Sequence, residues 1–311
     1  MSAARETHGT WTPPWPCPVA LNLAPLRRGG GDPTFRIAPD GAHWLGIRTP
    51  TGSATLRILP RTQTGQVEAS AWGAGADWAL DSIPDLLGAA DDPSGFEPAH
   101  PILERTWRRH QHWRLARTGR VWEALAPAII EQKVTGQEAF AGFRMLVRRF
   151  GEPAPGPGAD LGLWVQPSAA TVRSIPSWEW LRMHIDPARS RTLVGAAARV
   201  SALEGVDDPA LLDARLRSLP GIGVWTSAEV RARALGDADA VSFGDYHVAA
   251  VVGYVLTGVA LDDAGLAELL EPWRPHRHRV QRLVEMSGLS RPRRGARMAP
   301  RTHLPARVTR A

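Results

Sequence analysis

The segment Leu216-Arg217-Ser218-Leu219-Pro220-Gly221-Ile222-Gly223-Val224-Trp225-Thr226-Ser227-Ala228-Glu229 carries the densest chemical signal in the 311-residue chain. One helix ends before Pro220, Gly-Ile-Gly makes a tight turn, and a second helix starts near Trp225. Glycines at 221 and 223 permit positive φ and remove side chains that would keep another backbone at a distance. The N–H groups of the turn, with the first turn of the next helix, then form an anion site suited to a phosphate. Gly221, Ile222, Gly223 and Thr226 are its candidate residues, with Ile222 pinning the turn to the core. An ordinary glycine-rich helix connection fits the same residues. Twenty residues after Trp225 comes Ser242-Phe243-Gly244-Asp245-Tyr246-His247-Val248-Ala249-Ala250-Val251-Val252. Asp245 ahead of that apolar run is a good helix N-cap, and a carboxylate fixed there is also available for chemistry.

Few other side chains stand out. Lys133 is the only lysine, the other 36 basic residues being arginines, and it lies in Ile129-Ile130-Glu131-Gln132-Lys133-Val134-Thr135-Gly136. The single cysteine, Cys17, excludes an internal disulfide and a multi-cysteine metal cluster. His110/His112 and His276/His278 are two residues apart, which points paired rings away from each other on a helix, so no metal site is expected. Arg277, Arg279 and Arg282 read as phosphate contacts or as a solvated basic face.

The elements that must hold these residues change character along the chain. Val19–Leu26, Thr34–Ile37, His43–Arg48, Ala54–Leu59 and Gln66–Trp72 alternate with period two between turn clusters, which predicts a small antiparallel sheet. Asp77–Leu87 reads as a covering helix and Gly88–Pro98 as a linker. From Pro101 the period becomes helical. Helices are expected over Ile102–Leu115, Val121–Val134, Gly136–Phe150, Ser168–Ser174, Pro187–Leu203, Pro209–Ser218, Trp225–Ala234, Asp245–Leu256, Asp263–Pro272 and His276–Ser287, with a loop at Gly151–Gly158. The fold class is therefore α+β: a β-rich region over 1–98, a helical body over 99–290, and a tail over 291–311.

Composition is that of a globular protein, with 43% hydrophobic and 22% charged residues. The net charge of +6 comes from the tail, whose seven arginines and absence of acids leave residues 1–290 near −1. That tail is expected to be disordered, either holding phosphates nonspecifically or serving as a solubilising end. No apolar run is long enough to span a membrane and the N-terminus lacks a signal-peptide pattern, so the expected location is the cytoplasm of a bacterium-like cell.

The hairpin and Asp245 together resemble the helix-hairpin-helix DNA glycosylase superfamily, which joins a Leu-Pro-Gly-Ile-Gly turn to an acid in an Asp-x-His-Val-like context. Within it the chain is most similar to the 3-methyladenine DNA glycosylase II family, because Trp225 follows the hairpin and Tyr246 follows the acid. The likeness spans roughly residues 100–290. It implies double-stranded DNA containing damaged bases as partner, a bacterial nucleoid setting, a monomeric enzyme, and no cofactor beyond a possible monovalent cation at the hairpin–phosphate contact. A base is rotated out of the duplex, and Asp245 stabilises positive charge on the deoxyribose while water cleaves the N-glycosidic bond. Members that also nick the strand place a lysine directly after the hairpin. Trp225 stands there instead, which implies a monofunctional enzyme and a stacking face for an alkylated, cationic purine. The resemblance also implies that Gln132 or Lys133 fills the gap left by the flipped nucleotide, and that Trp225, Tyr246, Glu229 and Glu285 line the base pocket.

Several residues depart from the family pattern. Lys133 stands where the family has an apolar wedge, and Glu229 and Glu285 replace pocket aromatics. If buried, these glutamates are expected to favour the neutral form; otherwise they are solvent-facing helix acids. The departures leave two further readings open, a glycosylase for a deaminated or oxidised base and a non-catalytic protein that binds damaged DNA.

Overall fold

The computed structural model describes residues 6–292, so the predicted basic tail lies outside the described residues apart from Arg291 and Pro292. Five strands form one antiparallel sheet: β1 Glu6–Trp11, β2 Phe35–Ile37, β3 His43–Thr49, β4 Gly52–Arg61 and β5 Gln66–Trp72, in the order β1-β5-β4-β3-β2. Period-two alternation turns Leu45, Ile47, Ala54, Leu56, Ile58, Val67, Ala69 and Ala71 into one buried face. The helices Ala76–Asp81 and Ile83–Leu86 close that face with Ala76, Ala79, Ile83 and Leu86.

Two predictions fail here for physical reasons. Val19–Leu26 is not a strand but a helix over Val19–Leu23 followed by a 3-10 turn over Ala24–Leu26. Its buried residues Val19, Asn22 and Leu23 follow a helical spacing, and Asn22 Nδ2 donates to Leu87 O at 2.8 Å. The edge strand β1 carries no alternation to reveal it, since most of its residues are exposed, and its pairing along the whole of β5 defines it. The expected loop at Gly151–Gly158 includes a two-residue strand, Glu152–Pro153, paired with Trp164–Val165. The helix Ser177–Arg182 was not expected.

The sheet is joined to the helical body rather than tethered to it. Trp164 N donates to Pro33 O at 2.8 Å, and Arg48 N donates to Glu123 Oε1 at 2.6 Å. A Cβ at Gly46 on β3 would collide with the Trp164 carbonyl, so only glycine allows that approach.

Five helices of the body carry the residues of interest: α1 Val121–Ile130, α2 Pro209–Arg217, α3 Val224–Ala234, α4 Val248–Thr257 and α5 Arg277–Met286. They belong to two apolar cores. One gathers Leu125, Ile129, Phe143, Leu193, Leu216, Ile222 and Val230 around α1, α2 and α3. The other gathers Phe96, Leu103, Val252, Leu266, Val280 and Leu283 around α4 and α5. No helix among the described residues is long and apolar enough to cross a membrane.

Arg279 on α5 is a further correction. It is fully buried, pairs with Asp91 at 2.5 Å, and sits over the rings of Phe96, Trp107 and Trp113. It is neither a phosphate contact nor a solvated cation. Arg277 is likewise engaged, donating to Asp239 at 2.6 Å.

Candidate active site

The hairpin between α2 and α3 is held from three sides. Ile222 packs into the first core at 6% exposure, and its N–H donates to Leu219 O. Gly221 has φ +84, and a Cβ there would run into the Thr192 side chain. Gly223 differs from the expectation: its backbone is extended (φ −99), a conformation open to any residue. No atom lies within 4 Å of where its Cβ would be, so what glycine provides there is open space above the start of α3. The first amides of an α-helix have no intrahelical acceptor, and those of α3 begin beside that space.

Two residues predicted for DNA contact are occupied within the protein. Gln132 Nε2 donates to Gly221 O at 3.0 Å and to Thr226 Oγ1 at 2.8 Å. Thr226 is 2% exposed, so its hydroxyl faces Gln132 and not an external phosphate. Gln132 is thus a brace between the end of α1 and the hairpin rather than a free wedge. Lys133, next to it, is exposed and adopts φ +54, a left-handed conformation that a lysine rarely takes.

Asp245 precedes α4, which begins at Val248 rather than at Asp245. Its Oδ1 accepts from His247 N at 2.7 Å and Val248 N at 3.1 Å, and its Oδ2 accepts from Trp225 Nε1 at 3.2 Å. The loop before it is set by Gly244 at φ +84, whose N–H donates to Asp263 at 2.9 Å. Three N–H donors therefore fix the carboxylate, and the cap and the tie to the hairpin helix are one feature. Tyr246 does not belong to a pocket. It is 89% exposed, touching His247 edge-on, because capping by Asp245 turns the next side chain outward.

Asp245 and Trp225 border a cavity of about 290 Å³ at the seam of the two cores. That is near the lower end of the ~300–1,000 Å³ common for ligand sites, a size for one base rather than a dinucleotide. Helix α3 presents Trp225, Glu229 and Arg233 to it, at successive turns of one face. Helix α5 presents His278, Gln281, Arg282 and Glu285, again one face. Ser242, Trp113, Arg114, Glu131 and Asn22 complete much of the lining, so the N-terminal region takes part in the site.

Both glutamates border this cavity, but only Glu229 is withdrawn from solvent; Glu285 is exposed at its rim, as a solvent-facing helix acid would be. Glu229 accepts from Ser242 Oγ and from Arg233 Nη1, each at 2.6 Å. Burial pushes its carboxyl up, but Arg233 and the Ser242 hydrogen bond outweigh it and hold the group below the usual range. Glu229 is therefore ionised, contrary to the expected neutral form. Glu285 accepts from Gln281 Nε2 at 3.2 Å and pairs with Arg282. His278 is buried, and burial, then the charge of Arg282, pushes its imidazole down to about 3, so it is neutral at physiological pH. Sequence reasoning missed Arg233, Ser242, His278 and Gln281. The helical spacings Trp225–Glu229–Arg233 and His278–Gln281–Glu285 were the signals available for three of them.

No family model matches the sequence, nor does any curated protein. Solved structures do match its fold. The 3-methyladenine DNA-glycosylase from Archaeoglobus fulgidus aligns over 90% of this chain and 97% of its own, with a TM-score of 0.74 and 15% identity. The 8-oxoguanine glycosylase/lyase of Clostridium acetobutylicum in its apo form aligns over 92% and 99%, with a TM-score of 0.68 and 9% identity. Its complex with double-stranded DNA carrying cytosine opposite 8-oxoguanine aligns over 92% and 98%, at 0.67 and 9%. The chain has the α+β fold of the helix-hairpin-helix DNA glycosylases.

Proposed function

We propose that this protein is a monofunctional DNA N-glycosylase that hydrolyses the bond between deoxyribose and a damaged base, with Asp245 as its catalytic carboxylate. The observation that carries this reading is the placement of Asp245: a carboxylate fixed by three N–H groups, beside a base-sized cavity and tied through Trp225 to the helix that follows the hairpin. The hairpin holds a phosphate of the damaged strand through the amides at the start of α3. Leu219 O and Gly221 O each accept one hydrogen bond from the protein, so each keeps a lone pair that would hold a monovalent cation, which would supply positive charge for that phosphate. The damaged nucleotide rotates into the cavity at an unstacking cost of a few kcal/mol, and exposed Lys133 fills the space it leaves. Asp245 stabilises the positive charge that grows on the sugar and takes a proton from the attacking water.

With Trp225 after the hairpin and Lys133 the only lysine, the reaction stops at the abasic site. Borohydride trapping on an abasic duplex checks this, and a trapped adduct would assign lyase chemistry to Lys133. A monomer suffices, since one chain supplies hairpin, carboxylate and cavity.

Two lesion classes fit the reaction. An alkylated purine stacks on Trp225 and departs without a general acid, as the family resemblance suggests. A deaminated or oxidised base is uncharged, and the polar residues of α5 and Glu229 favour it. The test of the reaction itself is base release from duplexes each carrying one lesion, by the wild type and by Asp245→Asn. Equal release by both proteins removes Asp245 from the chemistry; binding without release from any lesion would identify a damage-binding protein instead.

A further inference from the structure

Three glutamates border the cavity, and each faces a guanidinium of the protein. Glu131 accepts from Arg28 at 2.8 Å, Glu229 accepts from Arg233 at 2.6 Å, and Glu285 pairs with Arg282. These charges satisfy one another, so an incoming cation meets no unmatched carboxylate beyond Asp245. The lining also contains two buried polar atoms without a hydrogen-bond partner, His278 Nδ1 and Arg282 Nε. The first belongs to a ring 7% exposed, and the second is an N–H donor in need of an acceptor. Surroundings that refuse a proton on His278, through burial and the charge of Arg282, equally refuse a positive charge on a base beside it.

Building on the glycosylase reading, we infer that the cavity selects an uncharged base bearing an exocyclic carbonyl oxygen, as deamination or oxidation leaves, and rejects a cationic N-alkylated base. The carbonyl oxygen meets the positive charge of the Arg282 guanidinium, which lines the cavity. His278, neutral, offers its ring to the base edge either as donor or as acceptor. The arrangement also suits the leaving group. When the C1′–N bond breaks, its electron pair goes to the base, and the negative charge spreads onto the carbonyl oxygen facing Arg282. Water forms the new C1′–O bond and passes one proton to Asp245; the departing base is protonated in turn, so one water is consumed per base released. A cationic base leaves as a neutral molecule and has no use for the guanidinium.

The test compares duplexes of one sequence carrying hypoxanthine or 7-methylguanine, using the full chain. Single-turnover release is one readout, and equilibrium binding of non-cleavable 2′-fluoroarabino versions of both lesions is the other. The wild type should favour hypoxanthine by at least about tenfold in both. Hypoxanthine and 7-methylguanine share the C6 carbonyl and differ in charge. Arg282→Met removes the guanidinium that opposes a cationic base and unpairs Glu285, so the preference should shrink or invert toward the cationic base, while Asp245→Asn should keep the binding preference and lose release. Equal or tighter binding and faster release of 7-methylguanine by the wild type overturns the inference. Tighter binding of the hypoxanthine analogue with no release from any duplex sustains the selectivity and overturns the glycosylase reading instead.

Discussion

At one end of the cavity, Asp245 is held mostly by its own neighbourhood. Two of its donors are backbone amides within three residues, and the third is the indole one helix away. At the other end, Glu229, Arg233, Ser242, Gln281, Arg282 and Glu285 are held by side chains on other turns and other helices. The first end is partly open and stable without its neighbours' charges; the second is balanced pair by pair, buried at Glu229 and Arg233 and open to solvent at Glu285. A local cap tolerates loss of the carboxylate at small structural expense. A buried ion pair does not tolerate loss of one member, because the remaining charge is left in a low-dielectric setting. The proposed reaction and the proposed choice of substrate therefore fall in regions with different tolerance to change.

Substitutions that remove one charge at a time break this contrast most directly. Glu229→Ala strands Arg233 and should cost ~3–5 kcal/mol of unfolding free energy in urea titration. A loss under about 1 kcal/mol would mean that the pair is solvated and the two ends are alike. Asp245→Asn should do the reverse, reducing release by roughly a hundredfold or more while lowering stability by no more than about 1 kcal/mol, the usual worth of a cap. DNA affinity by anisotropy should stay near that of the wild type.

The same contrast explains what was legible in the sequence. The hairpin and Asp245 occupy two short contiguous stretches whose glycines and cap residue declare a local geometry, and both lie where the spacing places them. The strands β3, β4 and β5 were legible because one face is buried and the period is two; β1 was not, because an exposed edge needs no apolar pattern. Val19–Leu26 has apolar residues at both two- and four-residue spacings, and packing of Asn22 on Leu87 decides for the helix. The balanced end of the cavity was only partly legible: Glu229–Arg233 and Arg282–Glu285 are one helical turn apart, but the links that join the helices, Ser242 to Glu229 and Gln281 to Ser242, come from residues far apart in sequence, and Arg233 also donates to Pro25. Arginines at 277, 279 and 282 look alike in a string of basic residues. Only the fold distinguishes the one paired with Asp239, the one caged by aromatics and the one in the cavity.

Acid separates the two ends by titration. His278 has an ordinary value of 6.5 and one of about 3 in the folded protein, so only the unfolded chain binds its proton between those values. Stability contributed by the neutral ring is complete above pH 6.5 and falls as the pH drops toward 3, by ~1.4 kcal/mol per unit. His43 and His276 are shifted the same way by burial, so the wild type carries their slopes as well. His278→Gln should remove one proton's worth of slope between pH 6 and 4 in denaturant titrations. An unchanged slope would mean that the ring is hydrated in the cavity.

The smallest expected effects lie at the exposed rim and sharpen the division between binding and folding. Gln132→Ala removes the brace to Gly221 and Thr226 and should cost ~1–2 kcal/mol, the worth of two hydrogen bonds, with weaker duplex binding because the hairpin loosens. Tyr246→Ala removes a ring that is 89% exposed and packs only against His247, so stability should change by no more than ~0.5 kcal/mol. Its ring follows the carboxylate in the chain and faces solvent, so under the proposed function any contribution it makes is to DNA. A loss of affinity without a loss of stability would count Tyr246 as a contact of the rim. A loss of stability would show that the rim, too, is held by side-chain packing, and the local character assigned to the Asp245 end would fail.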